Sequence, residues 1–145
     1  MAIAKWSTPE ARSANLAGTA LNSLATGSAS TLITYDNSVE ALNLYALVTI
    51  KLGSITPATG GSVTLRVYAA DGTDVPDANG GAFDSYVAAL ASGASAKVVV
   101  FPMVRLYPAS MRLQFVNNAG VTTAASGNEL YVRPYNEDVT GCRAA

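Results

Sequence analysis

The chain has 145 residues, of which half are apolar and 13% are charged. This composition supplies enough apolar material for one globular domain with a core, and it is unlike that of a disordered chain. Nine basic and ten acidic residues give a formal net charge of −1. The basic residues are scattered along the chain, so direct binding of nucleic acid is not expected. No apolar run reaches the length of a membrane span, so we expect no membrane partner. The first residues lack the apolar segment of a signal peptide, so we expect a protein that is made in a cytoplasm.

Histidine is absent, and Cys142 is the single cysteine. Histidine is the commonest general base and metal ligand, and one cysteine alone forms neither an intramolecular disulfide nor a zinc site. We expect Cys142 to be a tail thiol without a role, with an intermolecular disulfide as the alternative. The acids in or beside predicted strands, Glu40, Asp84 and Glu129, are interpreted as charges that protect sheet edges rather than as a catalytic pair. The sequence therefore predicts no catalytic residue and no cofactor.

Residues 1–13 show no strand pattern and are predicted to form an N-terminal arm. Trp6, the only tryptophan, is expected to pack on its own domain or, alternatively, on a neighbouring subunit, because tryptophan is enriched at interfaces. Residues 14–136 are predicted to form the folded domain, and residues 137–145 a polar tail. Over residues 14–26 the pattern does not distinguish a strand from a helix, and a short strand is predicted over residues 31–35.

The most regular stretch, residues 41–55, is predicted to be a long central strand, because apolar residues recur at every second position. The row expected to face the core is Leu42, Leu44, Ala46, Val48, Ile50 and Leu52. Residues 62–70 repeat the alternation and are predicted to form the next strand.

A polar loop over residues 71–81 contains the only candidate metal ligands. Asp71, Asp74, Asp77 and Asn79 provide oxygen atoms within nine residues, which suits Ca²⁺. Their spacing does not match an EF-hand loop, and Asx side chains in loops commonly bond their own backbone. A calcium site is therefore the weaker of two interpretations, the other being an ordinary surface loop.

After this loop the pattern is mixed before it becomes regular again. Residues 82–90 fit a short helix at least as well as a strand. Residues 97–107 alternate, with Val98, Val100, Val104 and Leu106 expected on one face, and Pro102 requires an edge, a bulge or a break. Further strands are predicted over residues 110–116 and 129–135. About seven to nine strands separated by turns predict an all-β fold, an antiparallel two-layer β-sandwich of jelly-roll or immunoglobulin-like type.

Four tyrosines lie opposite the main apolar rows, close in sequence to basic residues. If their faces belong to one sheet, they form an aromatic and basic surface that suits stacking on sugars or packing against another protein. The alternative is a set of ordinary cross-strand pairs on a solvated face. The residues concerned are Tyr45, Tyr68, Tyr131 and Tyr135, with Lys51, Arg66 and Arg133.

The composition and strands such as GSVTLRVYAADGT, SMRLQFVNNAG and ELYVRPYNED resemble the virion structural proteins of tailed bacteriophages. Within that group the chain is most similar to head decoration or cement proteins. This resemblance implies a virion protein that forms homo-oligomers, trimers above all, and braces the major capsid protein. No site residue carries over, since no diagnostic motif matches. The segments 1–13 and 136–145 are candidate arms for reaching neighbouring subunits.

Two other classes of function are compatible with the sequence. A carbohydrate-binding or receptor-binding module, for example on a tail fibre or adhesin, predicts exposed tyrosines on one concave sheet. An enzyme requires converging acids in a cleft and is disfavoured by the absence of histidine.

Overall fold

A computed structural model of the chain describes residues 5–37, 42–70, 74, 77, 81–107 and 110–138. These residues form nine β-strands and no helix. Seven of the strands make two antiparallel sheets that pack face to face, as the alternation of apolar residues predicts. The strands are β1 (Lys5–Trp6), β2 (Ile33–Asp36), β3 (Tyr45–Ile55), β4 (Ser62–Ala69), β5 (Asp84–Ala89), β6 (Ser95–Arg105), β7 (Ser110–Asn118), β8 (Glu129–Tyr135) and β9 (Glu137–Asp138).

The larger sheet has the strand order β2-β7-β4-β5, and the smaller sheet has the order β6-β3-β8. The remaining pair, β1 and β9, brings the two described ends of the chain together. Strand β3 is the centre of the smaller sheet and pairs with β8 over Tyr45 to Lys51. The long strand predicted from the sequence therefore has the central position expected of it.

The core lies between the sheets and consists of the inward-facing rows of their strands. Fully burying one valine, leucine or isoleucine side chain contributes about 1.5–3 kcal/mol, so these rows supply most of the favourable free energy of folding. The rows are Ala46, Val48, Ile50 and Leu52 on β3, Val63, Leu65 and Val67 on β4, and Met111, Leu113 and Phe115 on β7.

The prediction that Leu42 and Leu44 belong to the core row is wrong. Both lie before β3 and are 60% and 51% exposed, whereas Asn43 between them is buried. The Asn43 carbonyl accepts a hydrogen bond from the amide of Asn37, and the Asn43 side-chain oxygen accepts one from Asn136. These amide contacts fix the orientation of the segment, and its leucines consequently point outwards.

The predicted face of residues 97–107 is also wrong in its first half. Val98 and Val100 are 63% and 48% exposed, while Val99 and Phe101 face the core. The pairing of β3 with β6 shifts between Ala46–Val104 and Val48–Phe101, so β6 contains one extra residue there. This bulge includes Pro102 and reverses the facing of Lys97 to Phe101, since side chains alternate along a strand.

Residues 82–90 contain a strand rather than a helix. β5 pairs with β4 from Asp84 to Ala89 and forms an edge of the larger sheet. Its residues alternate between half-buried and exposed. The helical spacing of the apolar residues was misleading because Phe83 precedes the strand and Val87 faces solvent.

One side of the sandwich is closed by the main chain. The backbone amides of Ser7, Glu10, Ser13 and Leu16 donate to the carbonyls of residues 136, 134, 132 and 130, so the N-terminal segment runs along β8. This segment uses three residues for every two of β8, and therefore shows no two-residue period. The chain then crosses to the larger sheet, where Gly27 and Ser30 donate to β7.

The opposite side, where β5 and β6 lie, is closed by side chains. The backbone amide of Arg105 donates to the Tyr86 hydroxyl at 3.0 Å, and the Tyr107 hydroxyl donates to Asp84 at 2.9 Å. The Lys97 ammonium turns inwards and donates to the Gly93 carbonyl at 2.7 Å.

Buried Asn117 ties two loops together and provides a test of the main-chain closure. Its amide nitrogen donates to the carbonyls of Leu24 and Val121, and its oxygen accepts from the amide of Ala119. Asn117→Ala should lower the free energy of unfolding by roughly 2–3 kcal/mol, because it breaks three hydrogen bonds from which water is excluded. The neighbouring exposed Asn118 is the matched control, and Asn118→Ala should cost less than about 0.5 kcal/mol. Equal losses in urea unfolding would contradict this role.

Tyr107 provides a test of the side-chain closure. Burial, followed by the hydrogen bond to Asp84, raises the pKa of Tyr107 from 10.0 to about 12. The folded state thus favours the neutral phenol, and the resulting stabilisation is complete below pH 10 and disappears as the pH rises through about 12. Urea unfolding between these pH values should show a smaller loss of stability for Tyr107→Phe than for the native chain. Identical pH profiles of the two proteins would show that Tyr107 is not coupled to folding.

Candidate interaction surface

The outward side of the smaller sheet, here called the outer face, has an apolar and a polar half. Across it Thr49 lies between Val100 and Tyr131, and Lys51 lies between Val98 and Glu129. The apolar half follows β6 and the polar half follows β8. At the end where β3 begins, Tyr45 lies between Arg105 and Tyr135.

An aromatic cluster covers that end of the outer face. The Trp6 ring meets Tyr45 and Tyr135 edge-on, with centroids 5.9 and 5.5 Å away, and the two tyrosines stack at 5.8 Å. The Tyr135 hydroxyl reaches across the sheet and donates to the Pro102 carbonyl at 2.8 Å. The bulge in β6 thus obtains a hydrogen-bond partner, and Trp6, although 55% exposed, packs on its own domain.

A shallow depression of about 260 Å³ lies beside this cluster. Its walls are mostly apolar, and Met103, the residue after Pro102 in sequence, is exposed. Depressions of this kind accept an apolar side chain of a partner. The lining residues are Trp6, Ser7, Pro9, Leu47, Pro102 and Tyr135.

The polar half of the outer face is organised around Tyr131. The Arg12 guanidinium lies 3.8 Å from the centre of the Tyr131 ring, which is cation–π geometry. Lys51 and Glu129 form an ion pair at 3.1 Å. The hydrogen bond from Tyr131 and the nearby Lys51 ammonium lower the pKa of Glu129, and the bond to Glu129 raises the pKa of Tyr131. Arg133 is exposed and donates from Nε to the Glu10 carbonyl.

The structure brings together only part of the surface predicted from the tyrosines. Tyr45, Tyr131 and Tyr135 share the outer face with Arg133, but Tyr68 and Arg66 belong to β4 in the larger sheet. Tyr68 is buried and donates its hydroxyl to Gln114 at 2.9 Å, and Arg66 also reaches Gln114. The prediction of a single surface is wrong for these two residues, because alternate positions on two different sheets point in opposite directions.

The candidate calcium ligands are only partly described. Asp74 and Asp77 are exposed, whereas Asp71 and Asn79 lie outside the described residues, as does Cys142. In the part of the chain that the structure describes, no group of three or more acidic, cysteine or histidine residues is close enough to hold a metal ion.

Several residues in and around the depression were not identified from the sequence. Pro9 and Arg12 lie in a segment without periodicity, and their position follows from its pairing with β8. Met103 follows Pro102 at the bulge in β6 and is exposed. Leu47 did carry a signal, since it is a large apolar residue on the otherwise polar side of β3.

Comparison of the chain with models of protein families, with curated proteins and with solved structures finds no match. Among the described residues, no helix has the length and apolar character needed to cross a membrane.

Trp6 is the residue whose removal should change the outer face most. Trp6→Ala uncovers the Tyr45–Tyr135 pair and should cost about 1 kcal/mol, because edge-on aromatic pairs contribute roughly that much and the ring is half exposed. Urea unfolding followed by circular dichroism measures the loss. Phe83→Ala is the control for the loss of an exposed aromatic ring. Phe83 is comparably exposed, but it contacts Tyr107 rather than the Tyr45–Tyr135 pair. A loss above about 4 kcal/mol, the range of fully buried aromatics, would contradict the half-exposed position of Trp6.

Proposed function

We propose that the protein is a non-enzymatic structural protein that associates with itself and fastens to a larger protein assembly, as a decoration protein does on the head of a tailed bacteriophage. The observation that supports this proposal is the apolar depression beside Trp6 on the outer face. The major capsid protein is the proposed partner, and the virion is the proposed location.

The arrangement of the outer face resembles that of protein interfaces. Affinity at interfaces is concentrated in central aromatic or apolar anchors, which are surrounded by polar groups that exclude water. Here Trp6 and Leu47 line the depression, and Arg12 and Arg133 lie towards β8. Aromatic residues and arginine are the residue types enriched at such contacts.

The N-terminal segment adds rigidity to this surface. Its backbone bonds to β8 hold Trp6 and Pro9 against the smaller sheet, so the walls of the depression are formed before a partner arrives. A rigid surface loses little conformational entropy on binding, and repeated binding to equivalent positions of a lattice adds avidity.

The test uses shells assembled from the proposed partner, the major capsid protein. Leu47→Glu places a charge in the depression and should weaken co-sedimentation with the shells at least about tenfold. Trp6→Ala, which adds no charge, should weaken it in the same direction.

Ala125→Glu is the matched control, because Ala125 is exposed in the loop before β8, away from the depression. It should bind as the native chain does. If the native chain fails to co-sediment, or if Leu47→Glu binds equally well, the proposal is overturned.

A second candidate function is carbohydrate or receptor binding, favoured by the exposed Trp6 ring beside the depression. Aromatic rings of this kind stack on sugar faces. A glycan array probed with the native chain and with Trp6→Ala distinguishes the two. Binding that is lost with Trp6 would favour the carbohydrate function over the structural one.

A further inference from the structure

The two lateral sides of the sandwich differ in how their backbone edges are protected. On one side, residues 7–16 cover β8, and residues 27–36 run along β7. On the other side, β5 and β6 are the edges of their sheets, and no described segment pairs with either of them beyond β4 and β3. This second side is here called the bare side. β6, with 11 residues, provides a long edge.

The bare side also lacks the charges that usually protect edges. Between Asp84 and Arg105 the sequence contains one charged residue, Lys97. Lys97 is buried, and its ammonium is bound to the carbonyl of Gly93 and the hydroxyl of Ser95. Outward-pointing lysines on edge strands normally prevent pairing with another chain, and none is present here.

Apolar side chains point outwards where the edge is bare. Val98 and Val100 lie on the outer-face side of β6, and Val87, which is 68% exposed, lies on β5. The bulge at Pro102 and the bond of the Arg105 amide to Tyr86 limit the available part of β6 to its first seven residues.

We infer that the bare side binds a second copy of this chain, with β6 of each copy pairing antiparallel about a two-fold axis. The inference rests on the self-association that is part of the proposed function. Pairing would join the two smaller sheets into one six-stranded sheet, because each contributes three strands.

The absence of exposed charges on this part of the bare side favours a second copy of the chain as the occupant. In a two-fold contact this uncharged segment meets itself, so no charge is left against an apolar surface or a like charge. With the axis at Val99, Val98 of each copy lies opposite Val100 of the other, and these β-branched cross-strand pairs stabilise an antiparallel sheet. The edge of β5 lies on the same side, and its uncharged part from Ser85 to Ala89 adds contact area to a contact that β6 alone would leave small.

This geometry gives a dimer, whereas the resemblance to decoration proteins implies a trimer. The two are separated by the mass of the native chain in solution, measured by light scattering. The inference predicts twice the chain mass and a dissociation constant that changes little with salt, since no charge pair holds the contact.

The decisive experiment is a charge complementation at Val100. Val100→Lys and Val100→Glu should each weaken the dimer at least about tenfold, because the two like charges are diagonal neighbours across the two-fold axis. An equimolar mixture should restore dimers, and an affinity tag on the lysine variant should retain the untagged glutamate variant. The same pair of substitutions at Val98 provides a second test, and Ala125→Lys and Ala125→Glu are the controls that should leave the dimer unchanged.

A native chain that is a monomer or a trimer would overturn the inference, as would a mixture that fails to restore dimers. A monomer that forms a complex only with another added protein, and loses that complex on substitution of Val100, would show that the bare side binds a strand of that protein. This result would also overturn the inference. Co-sedimentation with capsid shells is measured separately, so a monomer that still binds the shells would leave the proposed function standing.

Discussion

Burial of the inward-facing rows of apolar side chains of the two sheets is the interaction on which the rest of the structure depends. Ile50 and Leu65 are fully buried in these rows, and strands that bury one face must present the other face outwards. The outer face of the smaller sheet is therefore a direct consequence of the core. Its character is set by the residues that alternate with the core residues, such as Leu47 and Tyr131.

The second constraint is that the backbone groups at the edges of a sheet must be covered or otherwise protected. The two lateral sides of the sandwich meet this constraint in different ways. The N-terminal segment uses its backbone to cover β8 and brings Trp6 and Arg12 to the outer face. The same segment thus stabilises the fold and builds the candidate surface. Among the residues that the structure describes, no comparable length of chain covers β5 and β6, and the side chains of Tyr86, Tyr107 and Lys97 close the gap between the sheets there.

The two surfaces have different chemistry and can serve different partners. The depression beside Trp6 is concave and aromatic, and it suits a protruding apolar side chain. The bare side is a backbone edge with exposed valines, and it suits another strand. A protein that forms homo-oligomers and also binds a lattice needs two such independent contacts, and a sandwich provides them because its faces and its lateral sides are separate.

The sequence by itself determined the fold class, the central position of β3 and the inward rows of β3 and β4, because a two-residue period directly reports one buried face. It also located Pro102, which lies in the bulge of β6. Only the tertiary structure decided which face of β6 is exposed, since Pro102 is compatible with an edge, a bulge or a break and only a bulge shifts the alternation. The outward direction of Leu42 and Leu44 depended on the side-chain amides of Asn37 and Asn136, which are far apart in sequence. Residues 5–16 have no periodicity to read, because their partner is a strand more than 100 residues away and the pairing takes three residues for every two.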